Sequence, residues 1–532
     1  MIQHLHAWAD AHPYARWFYP VWAAASILLF FISPFTDNGF LWLYLGTAVL
    51  GLFAIRPGSG LYAVTMDDDS PRCRLFTCLA ALVTALACTI PMGWFPLWNG
   101  EIPEHRNQYE LMAEAFLGGH IDFAYGDEDA LSQLKNPYDP AERNQSGVKF
   151  HWDHAFYNGH YYMYFGVVPV LLVFLPYRVL TGASLTTYHA TQLFVAAAIA
   201  GIFILFRLLS RLFFKKLPYA VYLAASVAFS VMSVWYSISA PALYCTAITG
   251  AIALEIWSLY FFVRAVWGES RENRQLLLAG VGSVFGALTF GCRPPVALAN
   301  ILVLPMLFVF LRQRRITAKL LGKLALAALP YVLTAAALMV YNYVRFDDPF
   351  EFGQAYQLTV ADQSQYSVHL DLASLRRIAA NTKDYFFHVG SVQPPFPFLS
   401  AGSVFWNFPM LLLGAAVLAP RVWKNMRRAR VLALTLGVYA AVGVITAMDI
   451  LWTPYLLERY RMDIYFLMGI ACFLTIGLWH DACAGKGRGW LAFVSVALSA
   501  ATAVSSFLLC AAASSQYYPD AVKALGRLLH LA

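Results

Sequence analysis

Apolar residues run along this chain in blocks of roughly 17 to 25, long enough to cross a bilayer as helices, and short charged segments separate them. The approximate blocks are 15–34, 38–55, 74–95, 187–206, 217–236, 241–264, 276–291, 295–311, 324–344, 401–419, 431–449, 461–479 and 489–513. The separators "RLLSRLFFKK" at 207–216, "RENR" at 271–274, "RQRRITAKLLGK" at 312–323, "RVWKNMRRAR" at 421–430 and "KGR" at 486–488 are basic. With each on the cytoplasmic side the blocks pair up between them, which predicts an all-α polytopic membrane protein of about 13 transmembrane helices, N-terminus inside and C-terminus outside. The first block, "WFYPVWAAASILLFFIS", is followed by no small-residue cleavage site before the next begins near Gly39, so it reads as a retained span.

One apolar block breaks the parity. "MYFGVVPVLLVFLPYRVL", 163–180, counted as a span would put "RLLSRLFFKK" outside and invert every later loop. It is therefore expected not to cross; Pro169 and Pro176 interrupt its helical ladder and favour a re-entrant or juxtamembrane segment packed against protein, the plainer alternative being a real span offset by a miscounted short neighbour. The resulting organisation is N-terminal helices over 1–95, a first outer loop with juxtamembrane helices over 96–186, central helices over 187–344, a second outer loop over 345–400, and C-terminal helices with a short tail over 401–532.

Composition supports the membrane reading: of 532 residues 60% are hydrophobic and only 13% charged. The net charge of +7 resides in the short interhelical clusters, so nucleic acid is not an expected partner. The eight cysteines lie in or beside apolar segments and form no disulfide framework or zinc spacing. No internal repeat is visible, which gives a transporter built from inverted repeats no support.

Charge singles out the first outer loop. Between 96 and 162 it holds eleven of the chain's 30 carboxylates against four Lys or Arg. In "EIPEHRNQYELMAEAFLGGHIDF", 101–123, Asn107 can cap a helix with Glu110 at the third position, Tyr109, Met112, Ala113 and Phe116 recur at helical spacing, and Gly118–Gly119 ends it. This predicts an amphipathic surface helix, with Glu104 just before its positive end, suited to act as a base. The plainer reading of Glu101 and Glu104 is solvated loop charge. In "KFHWDHAFYNGHYYMYFGVVP", 149–169, His151, Asp153, His154 and His160 stand among tyrosine and phenylalanine rings, Tyr161 included, that suit a sugar. "HWDH" matches no metal motif, and an aromatic belt would explain some of the tyrosines. Arg293, Arg345, Arg459 and Arg461 fall at outer span ends, where the charge rule does not expect them; guanidinium there can hold a lipid phosphate, or else pair with Asp347, Asp348, Glu458 and Asp463.

These stretches resemble the GT-C superfamily of polytopic glycosyltransferases. "EHRNQYELMAEAFLGG" is similar to its first-loop motif, and "DHAFYNGHYYMYFGVVPVLLVFLPYRVLTG", "YNYVRFDDPFEFG" and "ERYRMDIYF" are similar to later stretches of bacterial members. The resemblance implies an enzyme of the bacterial cytoplasmic membrane, active on the extracytoplasmic face, that moves a hexosyl or pentosyl group from a polyprenyl-phosphate donor to a glycan, lipid or protein acceptor in one inverting displacement. Glu104 would be the base, with Asp153 positioning substrate or replacing it; Glu101, Asn107, Tyr109, His151, His154, Tyr161, Arg293, Arg345, Arg459 and Arg461 would bind substrate. A divalent cation is an open accessory. Where many members carry a paired "DE", Glu101 and Glu104 here are separated by Ile-Pro, so either can be the base.

Two other readings make different demands. A polysaccharide polymerase or ligase would place its chemistry in 345–400, with His369, Arg376, Arg377 and His388. A transporter or flippase would need ionisable residues within spans, for which Glu255 and Asp449 are the candidates.

Overall fold

The computed structural model describes residues 21, 24–26, 28, 39–94, 108–312, 314–365, 371–393, 395–452 and 457–531. Most of the expected block 15–34, together with Glu101, Glu104, Asn107 and His369, lies outside them. Its elements are α1 (Gly39–Ala54), α2 (Pro71–Thr89), α3 (Gln108–Gly118), the strands β1 (His154–Tyr157) and β2 (His160–Met163), and then α4 (Val170–Thr181), α5 (Thr187–Phe213), α6 (Tyr219–Ser239), α7 (Leu243–Gly268) and α8 (Glu272–Phe290). They continue with α9 (Pro294–Leu311), α10 (Ala318–Phe346), α11 (Leu372–Phe387), α12 (Leu432–Leu451), α13 (Glu458–Ala482), α14 (Lys486–Ser514) and α15 (Pro519–Leu528).

Among the described residues nine helices are long and apolar enough to cross a membrane: α2, α5, α6, α7, α9, α10, α12, α13 and α14. Three of the expected spans differ. The block at 38–55 is the shorter helix α1. That at 276–291 is α8, packed between α7 and α10 but opening on the polar turn Glu272, Asn273, Arg274, Gln275. That at 401–419 is broken at Pro409 into Val404–Asn407 and the tight helix Pro409–Leu418, which rises about 20 Å against a hydrocarbon core of about 30 Å. The block that violated parity forms α4, whose length of about 18 Å is also too short to cross. A wide turn over Val170–Phe174 precedes Pro176, which has no N–H to give to the ladder.

The basic clusters all meet at one end of the bundle. Tyr219 N–H donates to Val64 O and Met66 N–H to Leu217 O, joining the loop before α2 to the α5–α6 turn, and Asp69 pairs with Arg207 and Arg211. Lys323 reaches Glu272 at 2.8 Å, Asn425 bonds Leu478 O at 3.2 Å, and Gly489 packs on Pro57 and Gly58. Between the ends, α13 is buried along nearly its whole length among α5, α6 and α12, while α10 lies at the periphery.

At the opposite end the first outer loop folds into a small cap. Asn158 and Gly159, both at positive φ, make the two-residue turn that pairs Tyr157 with His160 in the β1–β2 hairpin. The face of α3 carrying Tyr109, Met112 and Ala113 is buried against α4, with the Tyr109 ring stacked on Phe174 at 5.3 Å. Glu110 is an anchor, pairing with Arg178 and accepting the Leu185 N–H at 3.1 Å; its expected capping partner Asn107 lies outside the described residues. The second outer loop laces onto this cap through Arg143 to Thr359 O and Asn136 to Asp362.

Candidate active site

A cavity of about 490 Å³ opens at the end of the bundle away from the basic clusters, within the range of small-molecule sites. Its wall comes from the segment before β1, the loop after β2, the outer ends of α7, α8, α10, α12 and α13, the start of α9, and 352–363 of the second outer loop. Asp153, Arg293, Arg345 and Arg459, expected from sequence, all line it.

Asp153 is held from every side. Its backbone takes a left-handed φ of 59°, which aspartate tolerates better than most residues. Its N–H donates to Leu358 O at 3.0 Å, and its carbonyl accepts from Gln108 Nε2 at 3.0 Å. The Leu358 N–H returns to His154 O and the Phe156 N–H donates to Tyr356 O, so 356–358 runs along the free edge of β1. This edge pairing carries Gln357 to Asp153 Oδ1 at 2.9 Å, while the Tyr244 hydroxyl donates to Oδ2. Burial raises the proton affinity of the Asp153 carboxyl above the usual carboxylate range, against the opposing pull of the Tyr244 hydrogen bond and Arg459.

The arginines are in different states. Arg293 Nε reaches both oxygens of the fully buried Asp463, at 2.7 and 2.8 Å. Arg345 gives Nη1 to Met163 O and Nη2 to Asn342 Oδ1, each at 2.8 Å, which pins the end of β2 to α10. Arg459 lies over the Tyr244 ring, 4.1 Å from its centroid, and has no ion pair within 4 Å among the described residues. Arg461 is not on the cavity wall; it bonds Gly402 O and both oxygens of Glu458 and lies over Tyr385. Gly166 lets the loop after β2 close on the turn before Arg293, since a Cβ there would stand 2.2 Å from Gly291 O.

The remaining expected residues sit inside the cap. His151 bonds Asp127 at 3.0 Å and stacks on Tyr125; His154 bonds the Tyr125 hydroxyl at 2.9 Å; Tyr161 packs edge-on against both histidines. Tyr109 lies beneath them in the same buried cluster. None of the four lines the cavity. No group of three His, Cys, Asp or Glu among the described residues is placed to hold a metal ion, so nothing here supports the divalent cation left open above. Arg376, Arg377 and His388 stand away from the cavity wall, and Glu255 is buried midway along α7.

Sequence reasoning missed Tyr244, Gln357 and Gln108 as partners of Asp153, and Asp449 as a wall residue. The Asn-Gly between alternating aromatic residues was a readable hairpin signal; the strand-edge pairing that delivers Gln357 had none.

No family model and no curated protein sequence matches the chain. Among solved structures, it is similar to the archaeal oligosaccharyltransferase AglB from Archaeoglobus fulgidus in complex with an inhibitory peptide and a dolichol-phosphate, at 13% identity and a TM-score of 0.46, over 87% of this chain and 60% of that one. The apo form of the Archaeoglobus fulgidus oligosaccharyltransferase gives 14% identity, a TM-score of 0.43 and the same coverage. ArnT from Cupriavidus metallidurans bound to undecaprenyl phosphate gives 13% identity and a TM-score of 0.39, over 86% of this chain and 77% of that one. The chain thus spans about 60% of the length of the two oligosaccharyltransferase chains.

Proposed function

We propose that this protein is an integral membrane glycosyltransferase of the GT-C type, transferring a sugar from a polyprenyl-phosphate donor to an acceptor hydroxyl at the extracytoplasmic face. The observation that carries the reading is the cavity itself: a hydrogen-bonded buried carboxylate, Asp153, and Arg459, a guanidinium without a carboxylate partner among the described residues, share one partly apolar chamber. It stands opposite the basic clusters, which the charge rule puts in the cytoplasm.

Arg459 would hold the donor phosphate through paired hydrogen bonds. The acceptor oxygen attacks the anomeric carbon from the face opposite the phosphate; the bond from that carbon to the phosphate oxygen breaks, and lipid phosphate leaves with the electron pair. The acceptor's proton passes to Asp153, whose raised proton affinity suits a general base. Phosphate is already a good leaving group, so no second carboxylic acid of the glycosidase kind is required. Gln357 and Tyr244 aim the carboxylate, and Phe290, Phe352 and Tyr341 offer rings to the sugar and the first isoprene units.

The test is transfer of labelled sugar from polyprenyl-phosphate donors by purified protein, beside Asp153→Asn and Glu104→Gln. Loss of turnover with retained lipid-phosphate binding in Asp153→Asn assigns the base. The same loss in Glu104→Gln alone moves that role to Glu104. Absence of turnover by the unaltered protein with every donor would overturn the transferase reading.

A further inference from the structure

Asp449 stands on the cavity wall near the outer end of α12 and is only 4% exposed, yet among the described residues its Oδ2 accepts no hydrogen bond. A carboxylate oxygen left bare in a buried setting is costly, and a donor arriving with a ligand would offset that cost. The neighbouring groups define which donor fits. Arg293 is within electrostatic reach of Asp449, but its Nε is committed to both oxygens of Asp463. The guanidinium thus tempers the negative charge of this wall without occupying Asp449. No third carboxylate, His or Cys joins the two aspartates in a metal-holding group among the described residues. A phosphate would be repelled by two carboxylates and drawn to Arg459 instead. A neutral hydroxyl is the donor that suits both the bare oxygen and the moderated charge.

We propose that Asp449 is a specificity-determining residue that accepts a hydrogen bond from a ring hydroxyl of the donor sugar, so that the cavity reads phosphate through Arg459 and sugar through Asp449. This assignment rests on the transferase reading. It gives the cavity a polarity, with lipid phosphate and sugar hydroxyl on different protein elements and the anomeric carbon between them, within reach of Asp153. A site built to bond a hydroxyl rejects an analogue lacking it, because its own polar group then stays unpaired.

The experiment compares kcat/KM of the unaltered protein and Asp449→Asn on a transferable polyprenyl-phosphate sugar and on its monodeoxy analogues. Binding of sugar-free polyprenyl phosphate is measured on both proteins. The expected result is a loss of about 10- to 100-fold for the fully hydroxylated donor in the variant. One deoxy donor should be used equally by both proteins, the non-additivity that marks a direct contact, and lipid-phosphate binding should be unchanged. An equal loss across every deoxy donor, or no loss at all, overturns the assignment. Should Asp449→Asn fail to bind lipid phosphate, Asp449→Ser replaces it under the same criterion, and failure of both to bind overturns a sugar-specific role. Absence of transfer by the unaltered protein identifies failure of the transferase reading itself, and this assignment falls with it.

Discussion

Asp69 and Asp463 meet arginines at opposite ends of the same bundle in opposite circumstances. Asp69, with a side chain 38% exposed, is shared among Arg74, Arg207 and Arg211 at a wet surface. Asp463 is fully buried and takes both of its hydrogen bonds from the single Nε of Arg293. Water screens the first group, so its members are exchangeable, and for them the charge rule needs only number and sign. The second group cannot be solvated, so losing one member strands the other. Charge is thus shared and screened at one end and fixed beside a buried cavity at the other; count and sign matter at the first, and individual geometry at the second.

The sharpest way to break this contrast is Asp153→Asn. On the proposed mechanism, removing the base should lower kcat by about 10² to 10⁴ with polyprenyl-phosphate binding retained, checked by turnover and calorimetry in detergent or nanodiscs. Next comes Arg293→Ala, which leaves Asp463 buried and unpaired and should destabilise the fold by about 3–5 kcal/mol, read as a fall in thermal midpoint. A change as small as that of a surface pair would erase the distinction between the two ends. Arg459→Ala, by contrast, should leave stability nearly intact and weaken lipid-phosphate binding about 10- to 100-fold, with Arg459→Lys recovering only part because a point charge cannot make the paired contact.

A pH profile sharpens the same point. The proposed base Asp153 must be ionised, and burial raises its proton affinity, so kcat/KM should fall with acid at a midpoint above the ordinary aspartate value of about 3.9. A midpoint at or below that value would remove Asp153 from the role. The smallest effect belongs to the basic end: Asp69→Asn should cost at most about 1 kcal/mol and leave turnover unchanged, in unfolding and transfer assays on the same preparation.

Periodicity and charge made the spanning helices legible because bilayer thickness constrains the length of each one, whatever it packs against. That is why α5, α6, α7, α10 and α13 appear near the expected positions, and why α4, at about 18 Å, is shorter than a hydrocarbon core. The same logic overestimated 401–419, because a hydropathy pattern does not register how Pro409 and the turn before it shorten a helix. At the site, residue types were legible and their duties were not. Arg293, Arg345, Arg459 and Arg461 look alike as arginines at span ends, yet among the described residues Arg459 is the one of the four without a carbonyl or carboxylate bond across the fold. His151 and His154 look like a site beside Asp153, but the fold buries both in the cap's interior, where Asp127 and Tyr125 bond them.

The sequence by itself determined the solvent of this protein, its helical class, the clustering of basic residues between spans and the concentration of acids in one outer loop, because each depends on local composition and length. Only the tertiary structure decided that 356–358 pairs along β1, that Tyr244 and Gln357 grip one carboxylate, that Asp463 takes Arg293 and leaves Asp449 facing the cavity. Those contacts join residues up to hundreds of positions apart, and which partner each polar group finds is settled by the packing that excludes water around it.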